Sequence, residues 1–452
     1  MNTSQLLRYS FLAFLFLLPF QTAYLLREPS VGGEKWQYGT IGVYGTDICL
    51  FLLIFLVAFV WKKNIDLRFM IFEWGIFQWF LFLKSKIINQ KSETLLMMFL
   101  IWTGLSVIWA GDKWLAFSSF ITFLLAVGFF FLARSMLVQN IKKVVFVLLC
   151  AGVIQSGIGI GQFLYQKSID SSILGMNSHT AYEAGSSVLK IDSGRFLRAY
   201  GTFSHPNILG GFLGVILLLG MAYYVLYVRY ERSWKILADI VFLLVGSVII
   251  LLGLILSFSR SAWLGAVIGI LALGVMVFFR KEWGGQVKFL KILFAFGLAS
   301  VIFGSLLHEQ ISPRFDTATI EREGSVTERV QSLRDASTII GEGNILLGTG
   351  IGNFTAEMIR LQPGRSVWTI QPAHNVFVLI FAELGMVGFV LFVIFLGSIL
   401  FRMKSSFQKK ESIIFCVALF VLVPSLFFDH FLWSSHFGLF FFFLLLGLVS
   451  RR

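Results

Sequence analysis

The chain of 452 residues is 57% hydrophobic and only 13% charged, with a formal net charge of +13. A mean hydropathy of +0.83 excludes an ordinary soluble domain, and the lack of short alternating segments excludes a β-barrel. The positive charge does not point to nucleic acid, because Lys and Arg sit mainly in short loops between apolar runs, where they orient membrane spans.

Apolar runs of about 17–25 residues, the length that crosses a hydrocarbon core, recur along the chain and predict an all-α polytopic membrane protein. In order they are 10–26, 47–61, 94–110, 115–137, 143–165, 204–228, 236–257, 261–279, 288–306, 374–401, 412–428 and 432–450, twelve spans. The first follows Arg8 and lacks a convincing small-residue cleavage site, so it reads as a retained span. Residues 69–83, FMIFEWGIFQWFLFL, are ambiguous: they are short, carry Glu73 and have basic flanks on both sides. A crossing there would put either Lys62, Lys63 and Arg68 or Lys84, Lys86 and Lys91 on the wrong side of the membrane. If the piece lies along the cytoplasmic face or re-enters, Arg134/Lys142/Lys143, Arg229/Arg232/Lys235, Arg280/Lys281/Lys288, Arg402/Lys404/Lys409/Lys410 and Arg451/Arg452 all face the cytoplasm. The positive-inside rule thus selects twelve spans with both termini inside.

The expected division is a helix bundle over 1–306 with an outer loop at 166–200, a large outer-face cap over 307–373, and C-terminal spans over 374–452. The tight turn Ser257–Ser261 also falls on the outer face. From Leu307 to Ala373 there are six Arg, no Lys and eight Asp or Glu, a low basic excess that fits an outer loop. Within it, Ser325–Ile340 has helical spacing, with Val330, Leu333, Ala336 and Ile340 on one face. GTGIGNF, Gly348–Phe354, is a glycine turn without the Lys-Ser/Thr ending of a phosphate loop. Cys49, Cys150 and Cys416 fall inside apolar spans and read as small core residues.

Three residues carry candidate chemistry. Arg260, in LSFSRSAWLG, lies on the face where a cation is disfavoured. An ionisable residue against the apolar slab is a functional candidate, its plain alternative being a snorkelling helix-end arginine. Arg198, in RFLRAYGTFSHPNILGG, stands where the outer loop returns to the membrane, and His205-Pro206-Asn207 begins the next helix. Two planar guanidinium forks on one face suit a diphosphate. An ion pair with an outer-loop acid is the alternative for Arg198, and Arg195 is an alternative arginine. His374 opens QPAHNVFVLIFAELGMVGFV at a membrane boundary. Beside two anion-binding arginines it can serve as general base toward a hydroxyl, although a lone His is often only an interhelical hydrogen-bonder. Glu383 is too far along the same span to orient it and needs a partner of its own. His179, His308, His430 and His436 show no metal spacing, and no metal or other cofactor is expected. Trp102, Trp109, Trp114, Trp263 and Trp433 read as interfacial anchors.

These segments resemble the O-antigen ligase and polymerase superfamily of bacterial membrane glycosyltransferases. The resemblance rests on RAYGTFSHPNILGG, then LSFSRSAWLG, then Arg329 to Leu333 as Arg-x-x-x-Leu, then LLGTGIGNF. It ends on His374, Asn375, Gly385 and Gly388 as HN-x9-G-x-x-G, and it covers roughly Met97 to Val449. It implies a multi-pass protein of the cytoplasmic membrane that moves a glycan from undecaprenyl diphosphate to a lipid or glycan acceptor at the outer face. In that scheme Arg198 and Arg260 hold the diphosphate and His374 takes the acceptor proton. Arg329 shapes the cap, and Asn375 and Arg195 belong to the substrate site. Diphosphate leaves readily once its charge is compensated, and direct attack predicts inversion. The acceptor stays open among ligase, polysaccharide polymerase and protein O-oligosaccharyltransferase. A flippase of lipid-linked sugars is the rival from another class. It should show polar residues near mid-membrane, whereas the notable ones here lie at the boundary. Oligomeric state has no signature in the sequence.

Overall fold

The computed structural model describes residues 3–64, 91–136, 141–183, 185–228, 233–316, 325–406 and 410–450. The ambiguous segment 69–83 lies outside them, as do Arg68, Lys84, Lys86, Arg229, Arg232, Lys409, Arg451 and Arg452. The helices are α1 (Thr3–Leu17), α2 (Gly45–Asn64), α3 (Lys91–Leu105), α4 (Lys113–Met136), α5 (Ile141–Tyr165), α6 (Pro206–Tyr227) and α7 (Trp234–Leu256). They continue as α8 (Arg260–Phe279), α9 (Trp283–Leu306), α10 (Ser325–Glu342), α11 (Phe354–Leu361), α12 (Val376–Ser406), α13 (Lys410–Phe428) and α14 (His436–Val449). Among the described residues, eight helices, α4 to α9, α12 and α13, are long and apolar enough to cross a membrane. The shorter apolar helices at α1, α2, α3 and α14 stand at the other four positions where spans are expected. The chain is therefore a multi-pass membrane protein.

The bundle is built around α6, whose apolar 18-residue window is 100% buried among α5, α7, α8 and α13. The window of α9 is only 17% buried and turns Phe294, Val301 and Leu306 outward, as a lipid-facing span does. Between apolar helices in lipid there is little hydrophobic drive, so close backbone approach supplies the contact energy. Gly265 and Gly269 of α8 supply it against α13: a Cβ on Gly265 would stand 2.0 Å from the Val421 carbonyl oxygen.

Charged side chains mark one end of the bundle. Arg134 pairs with Glu93, Lys142 with Asp239, and Glu282 with both Arg280 and Lys410. At the opposite end the chain forms a cap. The stretch 307–373 supplies α10, the glycine turn and α11, and the N-terminal segment joins them, which the sequence did not indicate. There β1 (Ala23–Arg27) pairs antiparallel with β2 (Ile41–Tyr44), and Trp36 between them is buried, donating to Thr355 Oγ1 at 3.2 Å. Glu34 Oε2 accepts from Ser366 Oγ at 2.7 Å and from the Val367 N–H at 2.9 Å.

The helix α10 forms where expected, but its buried face differs. Ser332, Asp335, Ala336 and Ile339 are buried, whereas Val330 and Leu333 are 42% and 43% exposed. The cause is polar: Asp335 accepts from Arg365 Nη1 at 2.8 Å and from Gln331 Nε2 at 2.8 Å, and Ser332 meets His374. The helix docks through hydrogen bonds, which an apolar-period reading does not see.

The glycine turn docks on a kink in α12. Gly385 has φ 66° and ψ −173°, outside helical values. Carbonyls near the kink find other donors: Ala382 O accepts Thr349 N at 3.0 Å, Glu383 O accepts Gly350 N at 2.8 Å, and Leu384 O accepts Trp102 Nε1 at 2.9 Å. The Met386 N–H turns to Ile345 O at 2.9 Å. Every one of these groups would cost roughly 1–3 kcal/mol if left buried and unpaired. The turn thus repairs a broken helix.

Candidate functional site

His374, Arg198, Arg260 and Arg329 come together at the capped end. Arg198 precedes α6, is 6% exposed, and spends all three of its guanidinium nitrogens on the protein. Nε donates to Ser257 O at 2.9 Å, Nη1 to Ser187 Oγ at 2.8 Å and Nη2 to Asn207 Oδ1 at 2.8 Å. It therefore clamps the α7–α8 turn that carries Arg260 three residues on. Arg260 is the first residue of α8 and half-buried, with Ser259 capping the helix. On the same turn Phe258 is fully buried at φ 47°, a left-handed conformation that costs a non-glycine residue about 1–2 kcal/mol. Its carbonyl accepts from Arg314 Nη2 at 2.8 Å, and Arg314 is itself 6% exposed.

His374 is half-buried just before α12. Its backbone N–H donates to Ser332 Oγ at 3.2 Å, and its Nδ1 lies 3.2 Å from the same oxygen. The Ser332 hydroxyl hydrogen goes to Arg329 O at 2.9 Å. Ser332 can then only accept from the ring, which assigns the proton to Nδ1 and leaves Nε2 a bare acceptor. Burial first, then His430, pushes the His374 pKa down to about 3, with Arg329 acting in the same direction. The ring is neutral throughout the physiological range.

Residues 429 and 430, between α13 and α14, complete the cluster. The His430 ring stands edge-on to His374 at 4.9 Å between centroids. Asp429 is 4% exposed, and its carboxylate accepts from Asn207 Nδ2 at 2.7 Å and from the His430 and Phe431 N–H groups. Burial opposes its ionisation, yet its pKa stands below the ordinary carboxylate value, with the Asn207 amide among the groups that favour the charged form. Tyr38 reaches in from the N-terminal segment, 5.9 Å from His430. Beneath, two glutamines of α5 satisfy the loop that follows Arg198. Gln162 Oε1 accepts the Tyr200 and Gly201 N–H groups, each at 2.9 Å, and Gln155 Oε1 accepts Thr202 N at 2.8 Å.

Other expectations take different forms. Asn375 caps α12, its Oδ1 accepting Phe377 N at 3.0 Å and Val378 N at 3.1 Å, and its amide donates to Phe427 O at 3.3 Å. Arg195 lies in the hairpin of β3 (Val188–Ile191) and β4 (Gly194–Leu197), where Nε donates to Ala181 O at 2.8 Å. Glu383 has its partner in Trp433, whose Nε1 donates at 2.8 Å, supported by the Gly352 and Phe354 N–H groups. Trp433 and Trp102 are thus donors to α12, not interfacial anchors, whereas Trp114 is 75% exposed as an anchor would be. Sequence reasoning passed over Ser332, Asp429, Tyr38, Arg314, Gln155 and Gln162, and noted His430 only as lacking metal spacing. Gln155 and Gln162 did carry a signal, two amides seven residues apart on one face of an apolar run.

Residues 245–393 match the family model described as O-antigen ligase. The match runs from within α7 through the kink in α12, so it contains Arg260, the 307–373 part of the cap and His374 but neither Arg198 nor Asp429. No curated protein matches the chain at a significant level.

Proposed function

From the premise that residues 245–393 carry a domain of the O-antigen ligase and polymerase superfamily, whose members are glycosyltransferase-like, we propose that this protein is a lipid-linked glycan transferase. It moves a glycan from undecaprenyl diphosphate to an acceptor hydroxyl at the outer face of the cytoplasmic membrane. The observation that carries the reading is His374, with Nδ1 engaged by Ser332 and Nε2 bare, beside a gathering of arginines.

In this mechanism the acceptor hydroxyl gives its proton to His374 Nε2 as its oxygen attacks the anomeric carbon. The bond from that carbon to the phosphate oxygen breaks, and the electron pair leaves with the carrier diphosphate. Arg260 at the head of α8 compensates the charge on the leaving group, while Arg198 holds the turn and adds its field. The low proton affinity of His374 in the free protein rises when the anionic diphosphate arrives, because a nearby negative charge favours the protonated ring. The base is therefore always deprotonated before substrate and strengthened by it.

The test is a reconstituted transfer assay with undecaprenyl-diphosphate oligosaccharide and three acceptors: lipid A core, a second lipid-linked repeat unit and a serine-containing peptide. Transfer by the wild type that His374→Ala and Arg260→Ala lose supports the enzyme, and the acceptor used selects ligase, polymerase or protein transferase. Donor movement across the bilayer without transfer, unaffected by His374→Ala, would make it a flippase.

A further inference from the structure

Of the three imidazoles in the cluster, His205 differs in the tautomer its surroundings impose. It is the N-cap of α6, with φ −150° and ψ 140°, and its Nδ1 accepts the Asn207 N–H at 3.1 Å. A nitrogen that accepts carries no proton, so neutral His205 holds its hydrogen on Nε2. His374 is the reverse, and so is His430, whose Nδ1 is 2.5 Å from a Ser434 hydroxyl that donates to the His430 carbonyl. Two rings present bare Nε2 acceptors, and one presents an N–H.

Capping alone does not account for a histidine here, since Asn, Asp or Ser cap at least as well with a shorter side chain. The imidazole caps with its near nitrogen and projects a donor from the far one. The residue is exposed, within electrostatic reach of Arg198, Asp429, His430 and His374. The turn that carries it is fixed from both sides, since Asn207 bonds Arg198 on one side and Asp429 on the other. Pro206 at the first helical position favours the extended backbone that His205 adopts.

We propose that His205 is a further catalytic residue, donating a hydrogen bond from Nε2–H to the phosphate oxygen that departs with the carrier lipid. The proposal rests on the transferase reading above. His374 accepts the proton of the attacking hydroxyl, and His205 meets the charge that develops on the opposite oxygen without giving up its own proton. The positive end of α6 points the same way.

Two substitutions separate this role from capping. His205→Asn keeps an acceptor in the capping position and removes the far N–H, whereas His205→Gln restores an N–H at similar reach and caps poorly. The full-length protein in nanodiscs is expected to keep its Tm with His205→Asn and to lose about 100-fold in kcat with little change in KM, the usual effect of deleting one donor to a developing oxyanion. His205→Gln should recover part of kcat despite a lower Tm. An Asn variant with wild-type kcat, or one altered only in KM, overturns the role. The 15N spectrum of histidine-labelled protein, assigned by the signal lost in the Asn variant, should show a protonated Nε2 and a bare Nδ1; the other tautomer overturns it independently of activity. If His374→Ala abolishes transfer and His205→Asn does not, only the role of His205 falls. If the wild type moves donor across the bilayer but transfers to no acceptor, the transferase reading falls and this role falls with it.

Discussion

The surroundings of His374, the proposed base, keep it unprotonated. Burial and its neighbours hold its pKa near 3, below the ordinary histidine value of 6.5. A group with a lowered pKa keeps its neutral form as the pH falls, losing it only near the new value. The acid limb of kcat/KM, which reports the free protein, is therefore expected well below 6.5. A limb at the ordinary value would show that the ring is solvated as an exposed histidine is. Ser332→Ala removes the acceptor that assigns the proton to Nδ1. It should lower kcat by about 10-fold or more, as loss of general-base alignment does, while leaving donor affinity near wild type in a binding titration. None of this could be read from the sequence. His374 itself was visible as a titratable residue at a boundary, but Ser332 lies 42 positions away on another element.

At the scale of elements, the cap and the kink are the parts most exposed to single substitutions. A Cβ on Gly385 would stand 2.2 Å from the Leu346 carbonyl oxygen, at a positive φ that already disfavours side chains. Gly385→Ala is expected to cost more than about 2 kcal/mol and to undock the glycine turn, read as a fall in Tm in detergent. The Asp335–Arg365 pair makes an asymmetric prediction, because the side chains are 2% and 17% exposed. Arg365→Ala strands a buried carboxylate and should cost about 3 kcal/mol, whereas Asp335→Ala leaves an arginine that can turn to water and should cost less. Limited proteolysis of α10 in the two variants ranks them. The helix α10 was legible from its period, but its orientation was not, since polar anchors chose the buried face. The glycines of the C-terminal motif were legible as a pattern. Their purpose, letting two backbones touch at Gly348 and Gly385, appears only when residues far apart in sequence are brought together.

Among the described residues, the long apolar helices run between an end marked by Arg134–Glu93, Lys142–Asp239 and Glu282 with its two cations and the capped end. The positions of the eight long apolar helices were legible because length and hydropathy report directly on the solvent a helix meets. The union of the N-terminal segment with the cap was not, since it depends on contacts such as those of Trp36 and Glu34 with residues over 300 positions away. Sidedness can be checked by cysteine labelling after Cys49, Cys150 and Cys416 are changed to Ser. Ser337→Cys, exposed on α10, should react with a membrane-impermeant maleimide added outside. Gly284→Cys, in open space at the other end, should react only after permeabilisation. The reverse pattern would place the site in the cytoplasm and exclude an outer-face reaction.

The hydroxyl of Ser332 joins α10 to the imidazole of His374. Were α10 to lift, the ring would lose the acceptor that assigns its proton, and Arg329 would leave with the helix. In the proposed reaction an undocked α10 would thus be a disarmed one: water could enter, but no aligned base would meet it. In the proposed reaction the bond would work as an interlock, confining reactivity to the docked state of α10 and guarding an activated glycan against hydrolysis.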